Sequence, residues 1–276
     1  EIGGFPLHME GKRFYPIQVA QKGVAWIRVR TRGEGGHGSM PRRRTAVSDL
    51  ARAIARLSRR PLPLEVTPPA REILETLAAH LGPKGIALRG LLRPRLGEAL
   101  LRALPNQNLA RTLRSLLSNT ASPNVLRAGS KINVIPQEAE AEIDCRTLPG
   151  AAGEKLLDQL RARLGPKVEL EIIRQAPAME VSSQTPLFAA LVEAVRRADP
   201  QGIAIPYMIP GFTDGFAFAQ NGTTYYGFTP LYLPEGVTFS ELYHNVDERI
   251  WVEGFHFGLE LLYDAVRTFC EPSVEA

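Results

Sequence analysis

Two of the five histidines lie in settings where an imidazole could take part in chemistry. His37 stands among glycines in the segment GEGGHGSMP at 33–41, and His244 stands in LYHNVDER at 242–249. Glycine neighbours let a backbone approach another molecule closely, so the loop that carries His37 could lie against another molecule. The neutral imidazole of His244 could bind a metal ion. The alternatives are a solvent-exposed loop histidine and a polar surface histidine that precedes a helix.

One arginine and one asparagine have the chemistry to hold a substrate. The guanidinium of Arg146 presents a planar fork, which fits a carboxylate through two parallel hydrogen bonds. Arg146 could therefore bind a substrate carboxylate, or it could form a surface salt bridge with Asp144 or Glu142. Asn133 could hydrogen-bond its own turn before Pro136.

The elements that would position these residues alternate between strands and helices. Alternating apolar and polar residues predict strands, and apolar residues at helical spacing predict helices. Thr45 or Ser48 would cap the first helix. The order strand, helix, strand, strand, helix, strand occurs at 23–33, 45–60, 122–136, 137–150, 153–165 and 167–177. This βαββαβ order predicts a ferredoxin-like domain, with helices on one face of an antiparallel sheet, over residues 21–181 and with a helical insertion at about 62–121.

The flanking segments predict part of a second domain. After 182, the pattern indicates a helix at 185–200, short apolar strands at 202–211 and 223–231, and a long amphipathic helix at 246–270. These elements are typical of an α/β layer, but they are too few to bury their own faces, so this tail requires a partner. Residues 1–20 are Gly-rich and then mildly apolar, and we interpret them as a remnant of the same domain and a linker.

Composition bounds the class of protein. Hydrophobic residues make up 44% and charged residues 22%, which is ordinary for a soluble globular protein. A net charge of +4 is too small to predict nucleic-acid binding. No apolar run approaches the roughly 18 residues of a membrane span, and no secretory leader is recognisable. Cys145 and Cys270 lack CxxC spacing, and Cys145 lies in an apolar alternation, so we predict a buried free thiol and a cytoplasmic location.

Four segments together resemble one family of hydrolases. They are EIGG at the start, GEGGHGSMP at 33–41, the run from KINVIP to DCRTLPG at 131–150, and the pair PGFTDGFAF and LYHNVDERI near the end. In order and spacing they are similar to the di-zinc amidohydrolases of the aminoacylase/carboxypeptidase family, which includes acetylornithine deacetylase, succinyl-diaminopimelate desuccinylase and glutamate carboxypeptidase. The resemblance implies a zinc-peptidase catalytic domain that is split in sequence by a ferredoxin-like lid, and the lid also forms the homodimer.

The resemblance assigns roles to individual residues. Glu1 in EIGG matches the fourth metal ligand of the family and His244 matches the fifth, while Asn133 and Arg146 match its substrate-holding pair. His37 matches a histidine that crosses the dimer to the active site of the partner, where it stabilises the developing oxyanion. The substrate expected is a small molecule or peptide with a free carboxylate.

Much of the family's metal site is missing from the sequence. The chain has no HxD segment and no adjacent Glu-Glu pair, which in the family supply the first three ligands and the general base. We therefore expect a fragment that lacks the N-terminal catalytic half, binds zinc poorly and is inactive alone. The function expected of the whole enzyme is hydrolysis of an amide next to a carboxylate-bearing amino acid, as in a carboxypeptidase or an N-acyl amino acid deacylase. The alternative is a non-catalytic dimerisation module built on the lid.

The loop at 210–218 departs from the family pattern. Thr213 and Asp214 are kept, and they would line the substrate pocket. Phe212 stands where the family more often has a second glycine, and Phe216 stands where it has an arginine. The resemblance therefore implies an apolar or altered pocket and puts an acetylornithine-type specificity in doubt.

Overall fold

A computed structural model of the chain describes residues 3, 6–150, 153–234, 236–237, 242 and 246–271. The strands are β1 Leu7–Met9, β2 Lys12–Gln21, β3 Gly23–Arg32, β4 Gly36–His37, β5 Thr120–Ala128, β6 Val134–Ile135, β7 Glu138–Thr147, β8 Glu169–Ala176, β9 Met179–Glu180 and β10 Gly202–Ile209. The helices are α1 Ala46–Arg59, α2 Pro68–His80, α3 Gly82–Gly90, α4 Pro94–Ala103, α5 Gln107–Leu117, α6 Gly153–Leu164, α7 Pro186–Ala198, α8 Gly215–Gln220 and α9 Val252–Cys270.

The middle of the chain forms the lid that its pattern predicts. Four antiparallel strands lie in the order β5-β7-β3-β8, and helices α1 and α6 connect them. Apolar residues of β3 and β7 such as Ile27 and Ile143 are buried against Leu50 of α1 and Leu160 of α6. The opposite face carries ion pairs, for example between Arg28 and glutamates of β7 and β8. This βαββαβ arrangement confirms the ferredoxin-like prediction.

A second sheet is centred on a strand near the start of the chain. β2 pairs with β10 in parallel on one side, and β1 and β9 pair with its other side in antiparallel orientation. Residues 14–21 of β2 are buried on both faces, so the segment does not alternate between apolar and polar residues. Phe14 packs edge-on against the ring of His80 in α2, and Tyr15 lies 6.5 Å from the ring of Phe257 in α9. Residues 12–20, which the sequence pattern assigns to a remnant of the catalytic domain and a linker, therefore lie in the central strand of this sheet.

The four helices between α1 and β5 pack on this second sheet. Leu74, Leu113 and Leu117 belong to the same buried cluster as Phe14 and Ile205, whereas the lid has a separate core. The insertion is thus connected in sequence to the lid but stabilised by the neighbouring sheet. The boundaries predicted at 21–181 and 62–121 remain predictions.

Two predicted elements near the end of the chain differ from the structure. The strand expected at 223–231 is an irregular segment that forms a single bridge, between Gln18 and Gly227, because β1 and β9 already pair with β2 on either side of this position. The helix expected from 246 begins at Val252. Arg249 donates hydrogen bonds to both the carbonyl and the carboxylate of Asp247, and this local pairing competes with helix formation.

The thiol prediction is confirmed for Cys145, which is fully buried and unpaired. Burial is the main cause that raises the pKa of this thiol, to about 12. Cys270 is an exposed free thiol. Within the described ranges, no helix has both the length and the apolar composition of a membrane span.

Candidate functional site

The two sheets meet at a joint of a single residue. Gln21 ends β2, Lys22 follows, and Gly23 begins β3 of the lid. A side chain on Gly23 would lie 2.7 Å from the carbonyl oxygen of Ala176, which explains why glycine is required at this crossing. The carboxyl end of β10 lies at the same place, because the Lys22 amide donates to the carbonyl of Ile209. In open α/β sheets, ligands bind outside the carboxyl ends of parallel strands.

Thr213, one of the predicted pocket residues, is fixed to this joint. Its side chain is buried, and its hydroxyl donates to Oε1 of Gln21 at 2.5 Å. Gln21 Oε1 also accepts from the Thr213 amide at 3.2 Å, and Gln21 Nε2 donates to the Thr213 carbonyl at 3.1 Å. Three contacts with one glutamine give Thr213 the role of holding the loop after β10 in place. No sequence motif indicated Gln21, since 192 positions separate the two residues.

Asp214 and two phenylalanines occupy the exposed part of the same loop. Asp214 is solvent-exposed and precedes α8, without a side-chain capping bond to that helix. The rings of Phe212 and Phe216 contact each other at a centroid distance of 4.7 Å and an angle of 40°. Both rings are partly exposed. The loop thus presents an aromatic surface next to the exposed carboxylate of Asp214.

Arg146 lies on β7 at the end nearest the joint. Its backbone pairs with Val24, three residues along the chain from Gln21. The guanidinium donates to Oδ2 of Asp144 at 3.0 and 3.3 Å, so the salt bridge considered as an alternative to substrate binding is present. Both side chains remain about 30% exposed, at 31% and 29%. One carboxylate oxygen, Asp144 Oδ1, is buried and has no hydrogen-bond partner among the described residues.

His37 and Asn133 come together at the other end of the lid. They belong to the small ribbon formed by β4 and the segment that leads into β6, where the Gly38 amide donates to the Asn133 carbonyl at 2.8 Å. A side chain on Gly38 would lie 3.2 Å from that backbone, so glycine permits the close approach. The His37 ring is exposed, and its Nδ1 lies 2.7 Å from Oγ of Ser39.

Within one chain, these two groups of residues are far apart. The register of β3 and β7 places Arg32 opposite Glu138 at the ribbon end, and Gly23 opposite Thr147 at the joint. At about 3.3 Å per residue, Arg146 lies about 25 Å along β7 from Glu138. Asn133 and Arg146 of the same chain therefore do not bind one carboxylate together.

The predicted metal ligands Glu1 and His244 lie outside the described residues. Among the side chains that are described, no group of three His, Cys, Asp or Glu is placed to hold a metal ion. Three protein ligands are the usual minimum for a catalytic zinc, and the sequence offers two. The residues present therefore do not by themselves form the di-zinc site that the resemblance implies.

A groove beside the joint was not predicted from the sequence. It has a volume of about 580 Å³ and lies between the start of α2 and the segment that returns from the lid, with Val19 at its base. Ser183 donates to the carboxylate of Glu72 at 2.5 Å. Burial, and then the proximity of Glu72, raise the pKa of Glu180 on the facing wall. Glu72 and Ser183 are 111 positions apart, so no local motif could have indicated the groove.

Comparison with known families identifies the chain. Residues 19–169, more than half of the 276 residues, match the peptidase dimerisation domain of M20 peptidases. The chain belongs to the M20 peptidase family. This confirms the predicted membership in a metallopeptidase and amidohydrolase family, and it confirms that the lid is a dimerisation domain. The subfamily is not decided by this match.

The most similar proteins include N-acyl amino acid hydrolases and a carboxypeptidase-like protein. The chain is 26% identical to the N-fatty-acyl-amino acid synthase/hydrolase PM20D1 of Mus musculus, over 98% of this chain and 54% of the relative. It is also 26% identical to the probable carboxypeptidase S-like 2 of Dictyostelium discoideum, over 91% of this chain and 48% of that protein. The chain thus spans about half the length of the curated relatives it matches.

Solved M20 structures share the fold. The metallo-carboxypeptidase Sso-CP2 of Sulfolobus solfataricus superposes with a TM-score of 0.61 and 15% identity, over 92% of this chain and 60% of that chain. The dipeptidase Dug1p of Saccharomyces cerevisiae gives a TM-score of 0.53 and 15% identity, over 94% and 56% of the two chains. At this identity the likeness shows the fold alone.

Proposed function

We propose that this chain is the lid and C-terminal part of a hydrolase that cleaves an amide bond next to a carboxylate-bearing amino acid. Arg146 carries the proposal, because it lies beside the carboxyl ends of β2 and β10 and remains partly exposed. The matching relatives named as N-acyl amino acid hydrolases and as a carboxypeptidase act on such bonds, which supports the same class here. We call the complete protein, with the rest of its catalytic domain, the assembled enzyme.

Arg146 and Asp144 form a clamp that is set before the substrate arrives. The carboxylate of Asp144 holds the guanidinium in one orientation, and the exposed part of the fork is left to bind a substrate carboxylate. A held guanidinium loses less side-chain entropy on binding than a free one. Asn133 is assigned to the same substrate, but from the partner subunit, since it lies at the far end of its own lid.

The aromatic surface of Phe212 and Phe216 indicates the other half of the substrate. The two rings form an apolar, partly exposed surface where the family more often has glycine and arginine. We assign this surface to an apolar acyl group or a large apolar side chain. Thr213 holds the loop through its hydrogen bond to Gln21, and Asp214 lines the entrance to the aromatic surface.

Dimerisation through the β5 edge would complete the site. The β8 edge carries Glu169, Glu171 and Arg174, and charged side chains oppose edge-to-edge pairing. The β5 edge exposes Leu126, which is 62% accessible, more than Ile172 and Ile173 of β8 at 40% each. We propose that β5 pairs with β5 of a second copy about a two-fold axis near Asn124, the middle residue of the strand.

This pairing brings the separated residues together. β5 runs from Thr120, opposite Arg146, to Ala128 near the ribbon. Antiparallel pairing places Ala128 of the partner subunit beside Thr120, two strand spacings or about 10 Å from Arg146. The partner subunit's His37 and the partner subunit's Asn133 then approach the joint that carries Arg146. The exposed imidazole of His37 can there donate to a substrate carbonyl oxygen as negative charge develops on it.

The last helix indicates where the rest of the catalytic domain would pack. The inner face of α9 is closed, because Gly254 and Gly258 contact the backbone of residues 230–232. Its outer face exposes apolar residues at alternating spacings of three and four: Val252, Phe255, Leu259, Leu262, Val266 and Phe269. Such spacing is typical of a seam that packs against another helix. We assign it to a helix of the N-terminal catalytic half, the polypeptide partner expected from the sequence.

Zinc is proposed as the cofactor of the assembled enzyme. Glu1 and His244 would each supply one ligand, and further ligands would come from the N-terminal catalytic half. Because two ligands do not hold a catalytic zinc, we derive no step through the metal from this chain. A cytoplasmic location is also proposed, since the described cysteines are free thiols and disulfides are rare in that compartment.

The isolated chain is expected to show no enzymatic turnover of amides, because the general base and three metal ligands are absent. The measurement is release of free amino acid from N-acyl amino acids and dipeptides with excess zinc. Turnover that His244→Ala abolishes would contradict this prediction. The matched experiment is the same assay on the assembled enzyme, where hydrolysis of these substrates is expected and its absence would contradict the proposed function.

Leu126→Lys is expected to weaken the lid dimer by about tenfold or more, because each protomer loses the burial of a leucine, about 1.5–3 kcal/mol, and gains a charge at the seam. Ile172→Lys on the β8 edge is the matched control and should leave the dimer unchanged, since Ile172 is also exposed, at 40%, on an edge strand. Sedimentation velocity over a concentration series measures both. The reverse order of effects would place the seam at β8.

A non-catalytic dimerisation module is the second candidate function. The match to a dimerisation domain favours it, because that match does not involve the metal ligands. Metal content and hydrolysis by the assembled enzyme distinguish the two functions. Nucleic acid is not proposed as a partner.

A further inference from the structure

Lys22 is the one residue between the two sheets, and its side chain is fully buried. A buried lysine is rare unless its ammonium is paired. The nitrogen Nζ donates to the carbonyl of Ser118 at 2.8 Å and to the carbonyl of Ser115 at 3.0 Å. Both oxygens lie at the C-terminal end of α5, where a cation is favoured by the helix dipole and satisfies carbonyls that have no partner within the helix.

The same helix end also fixes the strand that carries Arg146. Asn119, next to Ser118, accepts the amide of Leu148 at 2.8 Å and donates to Oε1 of Gln159 in α6 at 2.9 Å. Leu148 directly follows β7. Lys22 thus holds the end of α5, and Asn119, which follows α5, holds the end of β7 through Leu148.

The charges around Lys22 do not compensate the buried ammonium. The described salt bridges include no carboxylate that pairs with Lys22. Arg146 on β7 repels it, and Asp144 of that strand is engaged by Arg146. The thiol of Cys145 on β7 is uncharged at pH 7–9 because burial raises its pKa, and Arg114 of α5 is bound by Glu98. Both the neutral amine and the ammonium can donate to these two carbonyls, and among the described groups no carboxylate offsets the burial of the positive charge.

We propose that Lys22 is a proton-sensitive latch that locks the helical insertion onto the joint between the lid and the second sheet, and thereby positions the end of β7. The latch itself stands on the contacts of Lys22 and Asn119. Only its consequence for a substrate clamp at Arg146 rests on the proposed function.

Protonation opens the latch. Burial, and then repulsion by Arg146, lower the pKa of Lys22 to about 7, whereas an open joint would return it to the ordinary lysine value of 10.5. Between these two values the open state binds one more proton than the closed state, so opening becomes rarer as pH rises, by up to about tenfold per pH unit. Below about pH 7 both states are protonated and the dependence ends. Above about pH 9 the buried Cys145 thiol begins to act in the opposite direction, so pH 7–9 is the clean window.

Amide hydrogen exchange of the chain at pH 7–9 tests the latch, after correction for intrinsic exchange rates. The reporter is the Leu148 amide, bound to Asn119, and the reference is the Ile27 amide inside β3. In the wild type, the Leu148 protection factor should rise by up to about tenfold per pH unit relative to Ile27. In Lys22→Met, which does not titrate, and in Lys22→Arg, which stays charged, this rise should disappear.

Lys155→Met is the matched control, because Lys155 joins α6 to the start of the insertion through Glu65 at 2.5 Å but is 47% exposed. It should keep the pH dependence of the wild type. A flat Leu148 profile in the wild type overturns the proposal even if Lys22→Met does not fold. An unchanged rise in Lys22→Arg overturns it as well. Neither result bears on amide hydrolysis, so the latch can fail while the proposed function stands.

Discussion

Replacing Arg146 with alanine is expected to lower kcat/KM of the assembled enzyme on free-acid substrates by about a hundredfold or more. Each charged hydrogen bond to a substrate carboxylate contributes roughly 1.5–3 kcal/mol, and the guanidinium can form two. One such bond corresponds to about a tenfold to a hundredfold change in rate. Steady-state kinetics on an N-acyl amino acid and on its amidated counterpart measure the effect. The amide lacks the carboxylate, so Arg146→Ala should hardly change its hydrolysis.

The ion pair between Arg146 and Asp144 makes the comparison with the amidated substrate necessary. If Arg146 only stabilises the lid through Asp144, the variant loses thermal stability and both substrates are affected equally, which would exclude the carboxylate clamp. Arg146→Lys should recover part of the loss, since lysine restores the charge but not the fork. Asp144→Asn provides a second comparison, because it keeps the shape of the side chain and weakens the orientation of the guanidinium.

Mixing two inactive variants of the assembled enzyme is expected to restore activity. In a dimer of His37→Ala with Arg146→Ala, one site contains intact Arg146 and receives an intact His37 from the other protomer, while the second site lacks both. Random exchange of subunits makes about half of the dimers mixed, so recovery should approach about a quarter of wild-type activity. The measurement is turnover after the two variants are exchanged at low concentration and then concentrated.

A combined variant is the control for this complementation. His37→Ala with Arg146→Ala in one chain, mixed in equal amounts with wild type, leaves both sites of every mixed dimer incomplete, so activity should fall from about half to about a quarter of that of wild type alone. Failure of the two single variants to complement each other, in a confirmed mixed dimer, would show that His37 does not act in the partner's site. The β5 seam would then lose its main functional argument.

The pattern of the sequence determined the lid because its signals are local. β7 alternates buried and partly exposed residues along its whole length, since only one face of the antiparallel sheet is covered. The predicted cap is present as well. The Thr45 hydroxyl oxygen accepts a hydrogen bond from the Ser48 amide, and the Ser48 hydroxyl oxygen accepts one from the Thr45 amide. The family was indicated by short motifs whose order survives along the chain. Neither kind of signal depends on contacts between distant segments.

Other elements could not be inferred from local pattern. β2 is buried on both faces, so its periodicity is lost, and its role as a central strand follows only from pairing with β10, nearly 190 residues later. The insertion helices resemble an appendage of the lid in sequence, yet they share a core with β2 and β10. Which core a helix joins depends on the shape and area of the available surfaces, and the helical period does not encode this.

For the candidate site, the sequence determined the types of residue, and the tertiary structure determined which of them lie close together. The motifs indicated site residues that the structure places: His37, Asn133, Arg146, Thr213 and Asp214. The motifs also indicated Glu1 and His244, whose metal-binding roles stay predictions because both residues lie outside the described residues. Only the register of β3 and β7 shows that Arg146 lies at the joint and His37 at the opposite end of the lid. Only the fold buries Lys22 against the end of α5 and places the Thr213 hydroxyl where it donates a hydrogen bond to Gln21. The reason is that strand register and long-range hydrogen bonds are set by the packing of the whole chain, whereas a motif records only its own neighbours.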